Sequence, residues 1–210
     1  ASGVVALSRM AHGCDGEADA AAAIAAPGVL AVLKAADVDA AGLGTLPNNL
    51  PVKSRDGSPL INPARPLLAT DRVRHVGQPV VAIIAETQVQ ALDAAELVVL
   101  DIQPLPPVTT LNDAVRDGAP QLHDEAPNNV CLDFQMGDAD ATAKAFEAAA
   151  HVTKVHLDNN RVFVSAMEPR AAIADFDTDD DRYILHVCSQ GVMGMRNTLA
   201  GAIFNVEPEK

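Results

Sequence analysis

Val76-Gly77-Gln78-Pro79-Val80-Val81-Ala82-Ile83-Ile84-Ala85-Glu86-Thr87 is the stretch that decides the fold. Its apolar run, Val80 to Ala85, is unbroken and rich in β-branched residues. Such a run fits a strand covered on both faces. Val76-Gly77-Gln78-Pro79 leads into it as a turn. Thr87 has the chemistry of a helix N-cap, and Val89, Leu92 and Ala95 after it keep helical spacing, which predicts a helix from Gln88 to Leu97. Val98 to Ile102 reads as a second strand, stopped by Pro104, Pro106 and Pro107. Strand, helix and strand over so short a span predict a parallel, right-handed βαβ unit.

Upstream, Gly3 to Leu7 reads as a strand. Asp19 is a candidate N-cap for an alanine-rich helix running to Ala26, Pro27-Gly28 ends it, and Val29 to Leu33 follows as a strand. Gly42 to Pro66 is irregular, with five prolines, Gly44, Gly57 and the turn formers Asn48-Asn49 and Asp56-Gly57. A loop of this length is either a functional surface excursion or plain irregular packing. Val108 to Asn129 reads as a linker, which places a domain boundary near residue 120. Beyond it, strands are expected at Val130 to Met136, His151 to Leu157, Arg161 to Ser165, Arg170 to Phe176 and Tyr183 to Cys188. Helices are expected at Ala141 to Ala150, capped by Asp138 or Asp140, and from Gly191 to Asn205. The reading is an α+β protein of two units, residues 1–120 and 121–210.

Composition narrows the function. The chain has 210 residues, 49% of them apolar, with five Phe, one Tyr and no Trp, so the core depends on Val, Ile, Leu and Ala. A net charge of -13 excludes ordinary nucleic-acid binding, which needs a basic surface. Cys14, Cys131 and Cys188 have no metal-ligand spacing and cannot all pair, which points to free thiols in a reducing compartment. The six histidines form no helical ligand pair, so no metal site is expected. No targeting segment or membrane-spanning run is read, and a cytoplasmic location is expected.

Few residues suggest chemistry on their own. Ser189-Gln190-Gly191 lies where the strand Tyr183 to Cys188 turns into the last helix. A glutamine there can hold an oxygen ligand over the end of a sheet; the competing reading is a turn or cap. Glu168, beside a proline, is either a base of raised pKa or a carboxylate paired with Arg161 or Arg170. Ser189 has no base in sight to make it a nucleophile. Arg196 is either an anion contact or a structural ion-pair partner. No GxxxxGK or GxGxxG loop occurs.

Several short motifs, in order, resemble a known family. They are Ala26-Pro27-Gly28-Val29 with Ala36-Asp37-Val38, then Val76-Gly77-Gln78-Pro79-Val80, Glu86-Thr87 and Pro104-Leu105-Pro106-Pro107. Leu122-His123-Asp124-Glu125-Ala126-Pro127-Asn128-Asn129, Met167-Glu168-Pro169-Arg170-Ala171 and Ser189-Gln190-Gly191 follow. Over nearly the whole chain they resemble the molybdopterin-binding large subunits of the xanthine dehydrogenase, aldehyde oxidase and carbon monoxide dehydrogenase family. The resemblance implies an α/β hammerhead domain at 1–120 and the N-terminal portion of a mixed α+β molybdopterin-binding domain at 121–210.

The resemblance also implies an activity and a site. Such enzymes hydroxylate an aldehyde or heterocycle carbon with oxygen from water, and electrons leave through iron-sulfur and flavin subunits or domains. Gln190 stands where the family's glutamine hydrogen-bonds an oxygen ligand of molybdenum; a fixed amide donor stabilises charge that builds there during turnover. Gly191 would leave room for the cofactor. Met193 departs from the histidine many relatives have three residues after the glutamine. Relatives continue for several hundred residues that hold a glycine-rich loop and the catalytic glutamate. The expectation is therefore a fragment, inactive alone and without bound cofactor, whose surface over 130–204 is partly apolar. The alternatives are a split-gene small subunit and a non-catalytic interaction module in a larger oxidoreductase.

Overall fold

A computed structural model of the chain describes residues 1–48, 50–159, 162, 165–168 and 171–210. The expected strand Arg161 to Ser165, the two arginines weighed against Glu168, and Asn49 of the Asn48-Asn49 turn lie outside the described residues or depend on residues that do.

The apolar run forms strand β5 (Pro79–Ala85), the middle of a three-stranded sheet between β1 (Ser2–Leu7) and β3 (Val29–Leu33). Both pairings are antiparallel, with Val4 and Val32 each opposite Ile83. Val81, Ile83 and Ala85 share one face and are fully buried, while on the other face Val80 is buried and Ala82 and Ile84 are half-buried, so the expected cover on both faces is complete on one and partial on the other. Helix α3 (Gln88–Glu96) follows at once. Its capping box is reciprocal: the Gln90 N–H donates to Thr87 Oγ1, and Gln90 Oε1 accepts from the Thr87 N–H at 3.0 Å. Ala91 and Ala94 are its buried face, and their small side chains let the helix lie close to the sheet.

The expected parallel βαβ unit does not form. Strand β6 (Val99–Pro104) joins a second sheet, in which β2 (Gly13–Asp19) lies between β4 (Arg72–Val73) and β6, all antiparallel. The reason is edge occupancy. β1 and β3 use both hydrogen-bonding edges of β5, so β6 has no place beside it and pairs with β2 instead. The core between the sheets holds Val73, Val80, Val81 and Ile83 with Ala18, Ala20, Ala23, Ala69 and Ala94. Alanine fills the space that aromatic residues fill elsewhere. Two short helices, α1 (Ala21–Ile24) and α2 (Ala35–Ala40), flank β3.

The turn before β5 fastens the first unit to the linker. Gln78 is buried, and its Oε1 accepts from the Arg74 N–H at 2.7 Å. Arg74 Nε donates to the Leu122 carbonyl at 2.9 Å, and its guanidinium pairs with Asp71 at 3.3 Å. Burial alone would raise the Asp71 carboxyl, but Arg74 overcomes it and holds the group below its ordinary range. Past helix α4 (Leu111–Ala114), one side chain clamps the linker. Asn129 Oδ1 accepts from the Leu122 N–H at 2.9 Å, while Nδ2 donates to the carbonyls of Ala114 at 2.9 Å and Pro120 at 3.0 Å. Asn128 and Asn129 both have left-handed backbone, with φ of 55° and 57°, which asparagine tolerates best after glycine.

The irregular excursion from residue 42 is a bridge between the two units. The Arg55 N–H donates to the Asp133 carbonyl at 2.8 Å, the Ile61 N–H to the Cys131 carbonyl at 3.0 Å, and the Gly44 N–H to the Ile203 carbonyl at 2.8 Å. The Arg55 guanidinium also meets the Asp133 carboxylate at 2.7 Å. The second unit is open. Helix α5 (Ala139–Ala148), capped by Asp138, is exposed throughout. The residues expected as strands at 130–136 and 151–157 join no ladder among the described residues. Strands β7 (Ala172–Asp177) and β8 (Arg182–Val187) form an antiparallel pair. The N–H groups of Asp180 and Asp179 close its turn and hold the Asp177 carboxyl below its ordinary value. Helix α6 (Val192–Thr198) runs on as a π-helix over Leu199–Phe204. Phe204 stacks on Tyr183 at 4.8 Å, and Tyr183 tilts against Phe176 at 5.0 Å.

Three outcomes test this fold. Ile83→Ala removes the centre of the core and lowers stability by about 2–5 kcal/mol, read as a lower denaturation midpoint at unchanged slope. Asn129→Ala loses three hydrogen bonds at a left-handed position and costs about 2–4 kcal/mol in the same assay. Burial, with the Arg74 charge, pushes the His123 imidazole below its ordinary value of 6.5. The unfolded chain therefore takes up the proton first as pH falls. Stability is held above pH 6.5 and declines below it until the folded value is passed, and His123→Gln flattens that part of the titration curve.

Candidate functional site

Strand β8 ends at Val187, helix α6 begins at Val192, and Cys188 to Gly191 make the turn between them. The turn is braced from within: the Gly191 N–H donates to Ser189 Oγ at 3.1 Å. That contact gives Ser189 a structural role that its sequence position does not announce. The Gly191 carbonyl accepts from the Met195 N–H at 2.9 Å and opens the helix. Gln190 is exposed, and its amide has no hydrogen-bond partner among the described residues. A Cβ built on Gly191 would meet no described atom within 4 Å, so the space beside the glutamine is open.

Glu168 and Cys188 meet at this turn, with the Cys188 thiol donating to Glu168 Oε1 at 3.3 Å. Sequence reasoning weighed Glu168 only against nearby arginines and missed Cys188. The available signal was that both flank motifs already singled out, Met167-Glu168-Pro169 and Ser189-Gln190-Gly191. Arg196 lies a turn further on, exposed, with its guanidinium 3.4 Å from Asn197 Oδ1, and it forms no ion pair among the described residues. Met193 is exposed at the first turn of α6. Among the described residues no group of three or more His, Cys, Asp or Glu is placed to hold a metal ion. The three cysteines are free thiols. No helix among the described residues is long and apolar enough to cross a membrane.

Residues 2–106 match the family described as aldehyde oxidase and xanthine dehydrogenase, a/b hammerhead domain. The chain belongs to that family. Residues 122–210 match the molybdopterin cofactor-binding domain. The large subunit of nicotine 6-hydroxylase from Paenarthrobacter nicotinovorans is 38% identical over 127 residues, which cover 60% of this chain and 15% of the relative. The carbon monoxide dehydrogenase large chain of Afipia carboxidovorans is 29% identical over 182 residues, 81% of this chain and 21% of the relative. The chain thus spans about a fifth or less of the curated relatives it matches.

Solved structures agree. A Cu,Mo-CO dehydrogenase superposes with a TM-score of 0.80 at 27% identity, covering 94% of this chain and 25% of that one. Quinoline 2-oxidoreductase from Pseudomonas putida 86 gives 0.77 at 27%, covering 95% and 24%. The hammerhead family therefore has an α+β fold here, and its members among the relatives are molybdenum hydroxylases and dehydrogenases named as subunits.

The donor set of the turn fits such a cofactor. An exposed amide and an open glycine suit the oxygen-rich periphery of a molybdopterin group better than a bare cation, which would need carboxylate, thiolate or imidazole ligands.

Proposed function

We propose that these residues supply the hammerhead domain and the opening of the cofactor-binding domain of a molybdenum hydroxylase, with the boundary near residue 120. The observation that carries this reading is the glutamine turn itself: Gln190 exposed beside an unobstructed Gly191, in a chain that matches both family domains in order. The bound molybdopterin cofactor would supply oxidation of an aldehyde, heterocycle or similar small molecule, with water as the oxygen source.

The chain's own residues do the following. Ser189 Oγ fixes the turn by accepting from Gly191. Gln190 would donate its amide N–H to the bound cofactor and so stabilise negative charge there. Gly191 keeps the approach clear because it has no Cβ. β8 and α6 flank the turn at the end of the β7–β8 pair, and the exposed amide is carried there. In this reading the general base is supplied from elsewhere in the assembled enzyme, and these residues alone would carry no turnover.

The open second unit has a partner surface. Phe134, Met136, Phe146, Val152, Val155 and Leu157 are all exposed, more apolar surface than a monomer normally leaves uncovered. The remainder of the large subunit covers this face, and iron-sulfur and flavin subunits or domains take the electrons. The unpaired thiols fit a reducing compartment, the cytoplasm.

Gln190→Ala in the assembled enzyme lowers kcat by roughly a hundred- to a thousandfold, as expected for one lost preorganised donor, with molybdenum content unchanged. Wild-type kcat in a fully loaded variant would remove Gln190 from the machinery.

A further inference from the structure

The irregular excursion touches the helix that carries the glutamine turn at one tightly defined point. Helix α2 ends with Gly42 in left-handed backbone, φ 67°, and the Leu43 N–H returns to the Val38 carbonyl at 3.2 Å. This is a closed helix terminus, so the next residue leaves it in a fixed direction. That next residue is Gly44. Its N–H donates to the Ile203 carbonyl at 2.8 Å, at the far end of the continuous helix that begins at Gly191. A Cβ at position 44 would overlap the Ala202 carbonyl oxygen, which is backbone and cannot rotate away. Ile203 is buried at this contact, as is Ala200 one turn earlier. The Val206 N–H closes the same helix end on the Ala200 carbonyl at 2.9 Å.

The run from Val192 to Phe204 is one continuous hydrogen-bonded element, α-helical to Thr198 and π-helical beyond it, so a shift at its far end is passed along it. The last helix has the glutamine turn at one end and the Gly44 contact at the other. The geometry points to Gly44 as a positioning residue for Gln190: it seats the helix against the hammerhead domain and so sets how far the glutamine amide projects. The side chain is excluded because any atom added there pushes the helix along or away. This role rests on the proposed contact between Gln190 and the cofactor, and it adds a determinant that lies outside the site.

The test uses the assembled enzyme with three substitutions. They are Gln190→Ala, Gly44→Ala, and Gly57→Ala as a control in the same excursion; Gly57 has φ 85° with no described atom near its Cβ position. Gly57→Ala strains the loop without pressing on the helix. The readouts are molybdenum content, kcat and KM, and the paramagnetic molybdenum signal of the partly reduced enzyme. Gly44→Ala is expected to keep its molybdenum, to lose about ten- to a hundredfold in kcat at a KM within about twofold, and to shift the signal toward that of Gln190→Ala. Gly57→Ala is expected to keep the wild-type signal.

A Gly44→Ala enzyme with wild-type signal and kcat, beside a Gln190→Ala enzyme in which both change, would overturn the positioning role while leaving the glutamine contact standing. If Gln190→Ala leaves the signal unchanged, the contact itself fails and the positioning role with it. A loss in Gly44→Ala that Gly57→Ala shares reports loop strain and also overturns it. Should Gly44→Ala fail to accumulate, a structure of the assembled wild-type enzyme decides: a Gly44 nitrogen beyond hydrogen-bond reach of the Ile203 carbonyl would equally overturn the role.

Discussion

A strand with both edges occupied and one face fully buried is the constraint on which the rest of the chain depends. β5 is paired on either side by β1 and β3, lies under α3, and faces the second sheet across the alanine-rich core. Its backbone hydrogen bonds are therefore satisfied without any later strand, and β6 has to seek its partner in β2. The short α3 then links two sheets rather than two neighbours in one sheet. The many buried alanines follow from the same arrangement. Helix and sheets approach closely, and larger side chains would separate them.

Straps run from this first unit to the linker and the second unit. Gln78, buried under the turn before β5, orders Arg74, and Arg74 reaches the Leu122 carbonyl. Asn129 gathers the linker with three hydrogen bonds. The excursion after α2 then meets the second unit near Cys131 and Asp133 and again at Ile203. Between these ties, much of the second unit is exposed. The glutamine turn lies between β8 and α6 and has an open outer side. Under the proposed function, that open side is where the cofactor would lie.

Part of this was legible in the residues. The unbroken run Val80 to Ala85 announced a buried strand, and Thr87 and Asp138 announced helix starts, because their signals are local. β2 was not legible. Gly13 to Asp19 carries two glycines and three acidic residues, and only pairing with β4 and β6 makes it a strand. The reverse error occurred at 130–136 and 151–157. The side-chain pattern suits a strand, but no described ladder partner is present, and pattern without partner leaves extended chain. The sense of pairing between β5 and its neighbours was equally invisible, since edge occupancy is a property of the whole sheet. At the site, Gln190 alone could not be told from a cap, and the family likeness was needed to single it out. Gly44 had no signal at all, because its reason is a backbone carbonyl near the other end of the chain.

The central claim is that this scaffold presents Gln190 to a molybdopterin cofactor. The most direct measurement is a structure of the assembled, cofactor-loaded enzyme at a resolution that fixes the glutamine amide. The account predicts the Gln190 amide nitrogen within hydrogen-bond distance of the cofactor, about 2.7–3.2 Å, with the Ser189 to Gly191 brace intact. A cofactor bound elsewhere, with the Ser189-Gln190-Gly191 turn facing solvent or another subunit, would contradict it.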